Sequence, residues 1–338
     1  MNPNWRSFLE SAEGNFDSHS SDLLNFGDAT GELQAAARQT VLVPLTHLGL
    51  LEAFGEEAKS FLHSQLTSDI NHLAESKAQH SGWCTAKGRL QASFLLWHGG
   101  QGYRLLLAAD LQEATQKRLQ MFILRSKVKL AAQTETTILL GIAGPQAIEA
   151  LAEAKLPAPA EPMEVIETDG TTVIRLDASR FIVIAPSAGM AELWQKLSGK
   201  ARPAGVPVWR WLDVEAAYPL VTLATKEEFV PQMADFDKIG GVSFQKGCYP
   251  GQEVVARTQY LGKVKRHLYR LRSSQPLPAG APLYSPENPD QACGTVMSGA
   301  PVPGGGFAGL AVVQSNFAHA VHLESREGPQ VLAVAVNP

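Results

Sequence analysis

The stretch with the densest chemistry is residues 240–258, where four glycines, a proline, a cysteine and three charged side chains lie within nineteen positions. Gly247 and Gly251 flank Cys248-Tyr249-Pro250, so the backbone there can turn tightly or approach a partner where a Cβ would collide. Pro250 fixes its own φ and confines Tyr249 to extended conformations. The pattern describes a rigid loop that presents Cys248, with Lys246 two residues before it and Arg257 beyond it, and a regular element resuming at Glu253. Nearby cations, or the N-terminus of a following helix, stabilise a thiolate and make the sulfur a better nucleophile. The plainer alternative is an inert thiol in a turn, because free cysteines are among the most often buried residues.

Cys84, Cys248 and Cys293 are odd in number, far apart and contain no C-x-x-C pair, so neither a disulfide framework nor a zinc knuckle is expected. His63 with His72, and His319 with His322, lack the matching Cys or carboxylate spacing of a metal site, and no metal is expected. At 338 residues the chain exceeds one ordinary domain. A formal net charge of −4 argues against a protein that coats polyanions. No apolar run is long enough to span a bilayer, and the residues around Trp5, Phe8 and Leu9 include Asn2, Asn4, Arg6 and Glu10, unlike the apolar core of a secretion signal. The expectation is a protein of the cytoplasm, or of an organelle matrix after removal of a leader, with no membrane partner.

The elements that must position the loop follow from periodicity. The first ~25 residues are expected to be loosely ordered, as chain termini commonly are, followed by a helix over 31–38. A strongly apolar run covers 41–51, and Phe54, Ala58, Phe61, Leu62 and Leu66 recur at helical spacing. Residues 82–85 and 90–97 flank Ala86-Lys87-Gly88-Arg89 as a β-hairpin. A strand at 103–108, a helix at 111–123 and strands at 127–131 and 137–141 complete one round. A helix at 146–154 and a proline-bearing link at 156–162 lead to a second round, with strands at 172–176 and 181–185 and a helix at 190–197. Two rounds of paired strands and helices predict an α+β protein with two antiparallel sheets. Beyond Gly262 the helical pattern stops. Short strands at 268–271, 294–297, 310–313, 321–323 and 331–336, separated by turns such as Pro286-Glu287-Asn288-Pro289, predict a small C-terminal β-barrel or sandwich. The expected divisions are an extension at 1–40, a first α+β domain at 41–145, a second at 146–261 ending in the cysteine loop, and the barrel at 262–338.

The run Lys246-Gly247-Cys248-Tyr249-Pro250-Gly251-Gln252-Glu253 resembles the K-G-C-Y-x-G-Q-E motif of the YgfZ family, the folate-binding relatives of the glycine-cleavage T-protein. Phe61-Leu62-His63-Ser64-Gln65-Leu66-Thr67-Ser68-Asp69 is similar to the family's F-L-x-G-Q-x-T-x-D segment, with Ser64 in place of glycine. Ala86-Lys87-Gly88-Arg89 resembles its K-G-R/K hairpin. Residues 211–220 and 229–233 are similar to the segments that lead into the cysteine loop, so the resemblance covers about 41 to 270.

That resemblance implies two interlocked antiparallel-sheet domains with helices plus a C-terminal β-barrel, a GcvT-like ring around a central cavity. It implies binding of tetrahydrofolate or a related folate, and a role in assembly or repair of iron–sulfur proteins, including those that thiomethylate tRNA. The implied partners are folate and iron–sulfur assembly or client proteins, with tRNA touched only indirectly. Trp211 matches a family tryptophan associated with folate, while a second such tryptophan falls near Leu48 and is absent. A flat, polar-edged pterin needs an aromatic wall and a glutamate tail prefers cations. Trp211 would supply the wall and Lys87, Arg89 or Arg257 the cation, with Tyr249, Gln252 and Glu253 of the motif as further folate contacts. Cys248 would be the functional thiol, with Lys246 beside it. Each has a structural alternative: Trp211 as core, Lys87 and Arg89 as solvated hairpin charges, and Glu215 as a carboxylate that holds an arginine.

Two other functions can be weighed. Aminomethyltransferases of the T-protein type carry a key aspartate on the strand after the hairpin, and the corresponding residue here is Ser93, which cannot replace a carboxylate in relaying a proton. Direct RNA binding would draw on Lys246, Arg257, Lys263, Lys265, Arg266, Arg270 and Arg272 with Tyr249, Tyr260 and Tyr269 among them. A solvated barrel face is the simpler account of those charges.

Overall fold

The computed structural model describes residues 1–262, 264–288 and 290–336. Lys263 of the basic run and Pro289 of the barrel turn therefore lie outside the described residues. The chain forms two compact units, each assembled from separate stretches: Met1–Lys59, His72–Gln79 and Leu95–Trp209 in the first, and Ser60–Asn71, His80–Phe94 and Arg210–Pro338 in the second.

The first unit is built on a six-stranded sheet in the order Val165–Thr168, Thr171–Arg175, Arg180–Pro186, Thr137–Ala143, Val41–Pro44, Arg202–Pro203. Its pairs are antiparallel except the last, where Arg202 runs parallel beside Val41. The central strands are continuous apolar runs such as Phe181-Ile182-Val183-Ile184, buried at every position because both faces are covered. Strands 40 and 140 residues into the chain thus share a sheet with strands after residue 160, a non-local pairing that local periodicity cannot show. In the same unit, residues 95–99 pair with Gly102–Ala108, which pairs with Leu48–Phe54 and that in turn with Lys129–Ala132. Helix Ala109–Ile123 packs here, burying Leu111, Thr115 and Leu119 at helical spacing.

The N-terminus departs from the expected loose segment. Helix Pro3–Ser11 is capped by the Asn2 side chain, which accepts from the backbone N–H of Asn4 and Trp5. Trp5 and Leu9 enter the core with Leu23, Leu42, Leu140, Phe181 and Trp194, and the Trp5 ring meets Trp194 edge-on at 5.7 Å. Phe8 and Leu9 lie three and four residues after Trp5, the spacing of a helix with one buried face, and that burial outweighs the usual fraying of a terminus. The helix expected over 31–38 is Ala29–Ala36.

The second unit holds the end of helix Ala58–Gln65, a hairpin made by 80–84 and 90–94, the cysteine loop, helix Gln252–Tyr260 and the barrel. The barrel closes in the order Arg266–Ser273, Phe307–Gln314, Gly294–Pro301, Pro282–Tyr284, Val321–Leu323, Gln330–Ala335, the last pairing back onto the first. Tyr269, Leu271, Val296, Ala311 and Val313 fill its interior. Leu268, Met297, Leu310 and Val312 point outward instead and pack on Val214 and Phe229, so these strands are buried on both faces. No helix among the described residues is long and apolar enough to cross a membrane.

Candidate functional site: an exposed thiol between two anchors

Cys248 is exposed, whereas Cys84 and Cys293 are buried. Burial pushes the Cys84 thiol up to about 12 and raises that of Cys293 as well, so neither supplies a thiolate near neutral pH. The three cysteines are thereby sorted by environment into one accessible sulfur and two inert ones.

The loop that carries Cys248 is anchored on both sides. On its far side, Gly251 has φ +82° and meets the turn of the hairpin. A Cβ at 251 would collide with the Thr85 carbonyl oxygen and stand 2.7 Å from Gly88 Cα; a Cβ at 88, where φ is +70°, would stand 2.9 Å from Val254 Cβ. Only two glycines allow this approach. The hairpin turn is closed by Thr85, whose N–H donates to the Arg89 carbonyl at 2.8 Å and whose carbonyl accepts from Gly88 N–H at 2.9 Å. Directly after Gly251, helix Gln252–Tyr260 begins, and Val255 packs with Phe236 and Val242 in a small core of its own.

On the near side the anchor is Lys246. Its side chain is buried, and Nζ donates to the carbonyl oxygens of His63 and Leu66, the latter at 2.5 Å, while lying 5.1 Å from the centroid of the Tyr249 ring. These carbonyls belong to the last turn of helix Ala58–Gln65 and its exit, where backbone acceptors lack intrahelical partners and a cation is favoured. Lys246 is therefore a structural tether, in contrast to its expected place as a cation serving the thiol. Desolvation lowers its ammonium from 10.5 to about 8, against the opposing pull of Asp69. Tyr249 is buried too, and desolvation raises its phenol.

Thr67, which the motif reading did not single out, joins the surrounding segments. Its hydroxyl donates to the Gly241 carbonyl at 2.5 Å and accepts from Gly82 N–H at 2.7 Å, and its carbonyl accepts from Ser243 N–H at 2.9 Å. Gln232 Nε2 donates to the Val255 carbonyl at 2.7 Å, fixing helix Gln252–Tyr260 to the short 3-10 turn Pro231–Ala234. Both residues stand inside segments that carry the family resemblance, which is the signal that could have found them.

The remaining expected residues divide between open and structural positions. Lys87, Glu253 and Arg257 are exposed, and Gln252 is half-buried with Nε2 facing the Lys246 carbonyl at 3.5 Å. Arg89 is exposed, yet its Nη1 donates to the carbonyls of Glu227 and Glu228 at 3.1 and 2.6 Å, which ties the hairpin to that loop. Trp211 is half-buried on helix Val206–Glu215, and its indole N–H donates to Glu215 Oε1 at 3.1 Å. Glu215 Oε1 also accepts from Arg272 Nη2 at 2.7 Å, and Arg270 caps the helix end through the Val214 and Glu215 carbonyls. Ser93 is fully buried, and its Oγ accepts from Val221 N–H at 2.9 Å. Of the tyrosines among the basic residues, Tyr249 and Tyr269 are buried and Tyr260 is exposed, so the described basic run lacks the aromatic platform that strand binding needs.

This arrangement of sheets, hairpin, loop and barrel is the fold of the glycine-cleavage aminomethyltransferases. The crystal structure of glycine cleavage system aminomethyltransferase T from Bartonella henselae superposes with a TM-score of 0.85 at 21% identity, over 100% of this chain and 97% of that one, and the GCVT N-terminal domain family matches residues 21–173. Within that class, tRNA-modifying protein YgfZ of Shigella boydii and that of Escherichia coli K12 are each 32% identical over 235 residues, 69% of this chain and 72% of theirs. The chain belongs to the YgfZ family.

Two measurements test the anchors. Gly251→Ala should lower stability by about 3 kcal/mol, combining the cost of a Cβ at positive φ with that of overpacking. Urea unfolding reads this directly, and a loss below about 0.5 kcal/mol, the range of ordinary surface changes, would contradict the contact. For Lys246, the folded group releases its proton near pH 8 and the unfolded one near 10.5, so its contribution to stability rises as pH climbs through that window and is lost as pH falls to about 8. Wild type should accordingly gain on Lys246→Met between pH 8 and 10, and a gap that shrinks with pH would contradict the buried ammonium.

Proposed function

We propose that this chain is a folate-binding auxiliary protein that supports iron–sulfur cluster assembly or repair and, through client proteins, tRNA modification, with Cys248 as its functional thiol. The observation that carries the reading is the placement of Cys248: the accessible one of three thiols, on a loop held by Lys246 at one side and by a glycine–glycine contact at the other. Two curated relatives bear the name tRNA-modifying protein, which supports the same direction.

The chemistry of three residues supports the folate reading. Trp211 is half-buried and its indole N–H is held by Glu215, which accepts in turn from Arg272, so its ring would supply the aromatic wall a pterin needs. Lys87 and Arg257 are exposed cations suited to a glutamate tail. Arg89 has less to offer, because its Nη1 is committed to backbone carbonyls. A reduced folate would supply one-carbon or redox chemistry; the protein's part is to bind the ring, orient it and keep a nucleophilic sulfur accessible. One cysteine cannot ligate a whole cluster, so cluster chemistry would require a partner protein.

The aminomethyltransferase alternative shares the fold. Ser93 speaks against it, since its hydroxyl is engaged with the Val221 backbone and no carboxylate stands at that position. Titration of the purified protein with tetrahydrofolate, followed by tryptophan fluorescence and calorimetry, should show saturable binding that Trp211→Phe weakens several-fold, the order expected for losing part of an aromatic contact. Assay with glycine-cleavage partners should show no methylene transfer. Absence of binding would overturn the folate reading, and transfer would establish the enzyme.

A further inference from the structure

The far end of helix Ala109–Ile123 leaves apolar surface open in the first unit. The helix buries Leu111, Thr115 and Leu119. Phe122 follows Leu119 by three residues and continues that stripe, yet it is 45% exposed, with Met121 beside it at 74%. Leu124 then caps the helix at φ +46°, a positive φ of the kind helix ends usually give to glycine, and its side chain is 89% exposed. Single exposed apolar residues are ordinary on a protein. Three large ones within four positions make a patch, and contiguous patches mark interaction surfaces.

Leu124 also stands where two hollows meet. One, of about 460 Å³, is lined by Phe54, Ile123, Leu124, Val128, Lys129 and Leu130 among others. The other, of about 630 Å³, is lined by Glu57, Leu124, Arg125 and Ser126. The surface is therefore dented on both sides of the leucine. Such a shape receives the side chains of a protein segment, whereas a bilayer would lie across it.

The charges around the patch do not cancel. The acidic side chains within 54–57 and 113–131 are Glu56, Glu57 and Glu113, and all three are engaged. Glu56 pairs with the Lys127 ammonium at 2.6 Å, Glu57 accepts from the Lys127 backbone N–H at 2.6 Å, and Glu113 pairs with Lys117. Arg118, Arg125 and Lys129 are exposed and join no ion pair among the described residues. Arg118 lies three and four residues before Met121 and Phe122, on their side of the helix, while Arg125 lines one hollow and Lys129 the other. Aromatic residues, Met and Arg are the types enriched at protein interfaces, and an unbalanced cationic rim draws carboxylates.

We propose that this surface docks an acidic, apolar segment of a partner protein: its apolar side chains cover Met121, Phe122 and Leu124 and enter the hollows, and its carboxylates meet Arg118, Arg125 and Lys129. The proposal goes beyond the reading of Cys248, since the surface belongs to the first unit and the cysteine loop to the second.

Photocrosslinking of the full-length chain tests it. A benzophenone amino acid replaces Met121, or replaces the exposed Gln195 on another helix of the same unit as a control, and the chain is irradiated in the cells that make it. Mass spectrometry then reads the joined peptide. The adduct from position 121 should fall on a segment of another protein in which Asp or Glu neighbours apolar residues, and position 195 should not give it. Its yield should drop about tenfold in Leu124→Glu and in Arg118→Glu/Arg125→Glu, as for loss of a central apolar or charged contact. These side chains are exposed, so the unfolding midpoints should stay with wild type. Adducts only to lipid, only to a second copy of this chain, or to no protein overturn the proposal. A protein adduct whose yield survives both charge-changing variants overturns it as well.

Discussion

The contact between Gly88 and Gly251 is the constraint on which the site depends. Both residues have positive φ, and each stands where a Cβ would strike the other segment. The hairpin turn and the end of the cysteine loop, more than 160 positions apart in the chain, meet backbone to backbone. That geometry starts helix Gln252–Tyr260 at the right place and lets Val255 reach Phe236 and Val242. Interactions of this kind are inelastic, since two backbones cannot repack around an added methyl as flexible side chains can.

The opposite anchor works by different physics. Lys246 places its amino group among carbonyls at a helix end, satisfying acceptors that the helix leaves open, and the same group lies over the ring of Tyr249. Burial lowers its proton affinity, so the tether is a hydrogen-bond donor first and a charge second. Between the two anchors, Cys248 faces solvent without contributing to any core. A loop fixed at both ends and exposed in the middle is well suited to present a reactive atom, because the ordering entropy has been met in folding before a partner arrives.

Much of this was legible in the residues. The glycine spacing announced a constrained loop, the apolar spacing from Phe54 to Leu66 announced the helix, and the short strands after residue 262 announced the barrel, which closes with six strands. Glu215 proved to hold an arginine, as its ordinary reading allowed. Three things were hidden, each for a physical reason. The ordered N-terminus is hidden because a terminal position favours fraying, and only the spacing of Trp5, Phe8 and Leu9 marks the buried helix face that outweighs it. The reach of Lys246 is hidden because proximity in sequence does not say where a four-carbon side chain ends, and here it reaches back to residues 63 and 66. The pairing of Thr137–Ala143 with both Val41–Pro44 and Arg180–Pro186 is long-range, and no window of local sequence contains it.

The most direct test of the account is made on cells in which this chain is supplied as wild type or as Cys248→Ala, with thiomethylated nucleosides in tRNA measured alongside the unfolding midpoint of each purified protein. Because Cys248 is exposed and packs in no core cluster, the variant should unfold with wild type while the modified nucleosides fall to the level of cells lacking the protein. Full modification with the stable variant would contradict the thiol as the working group of the loop.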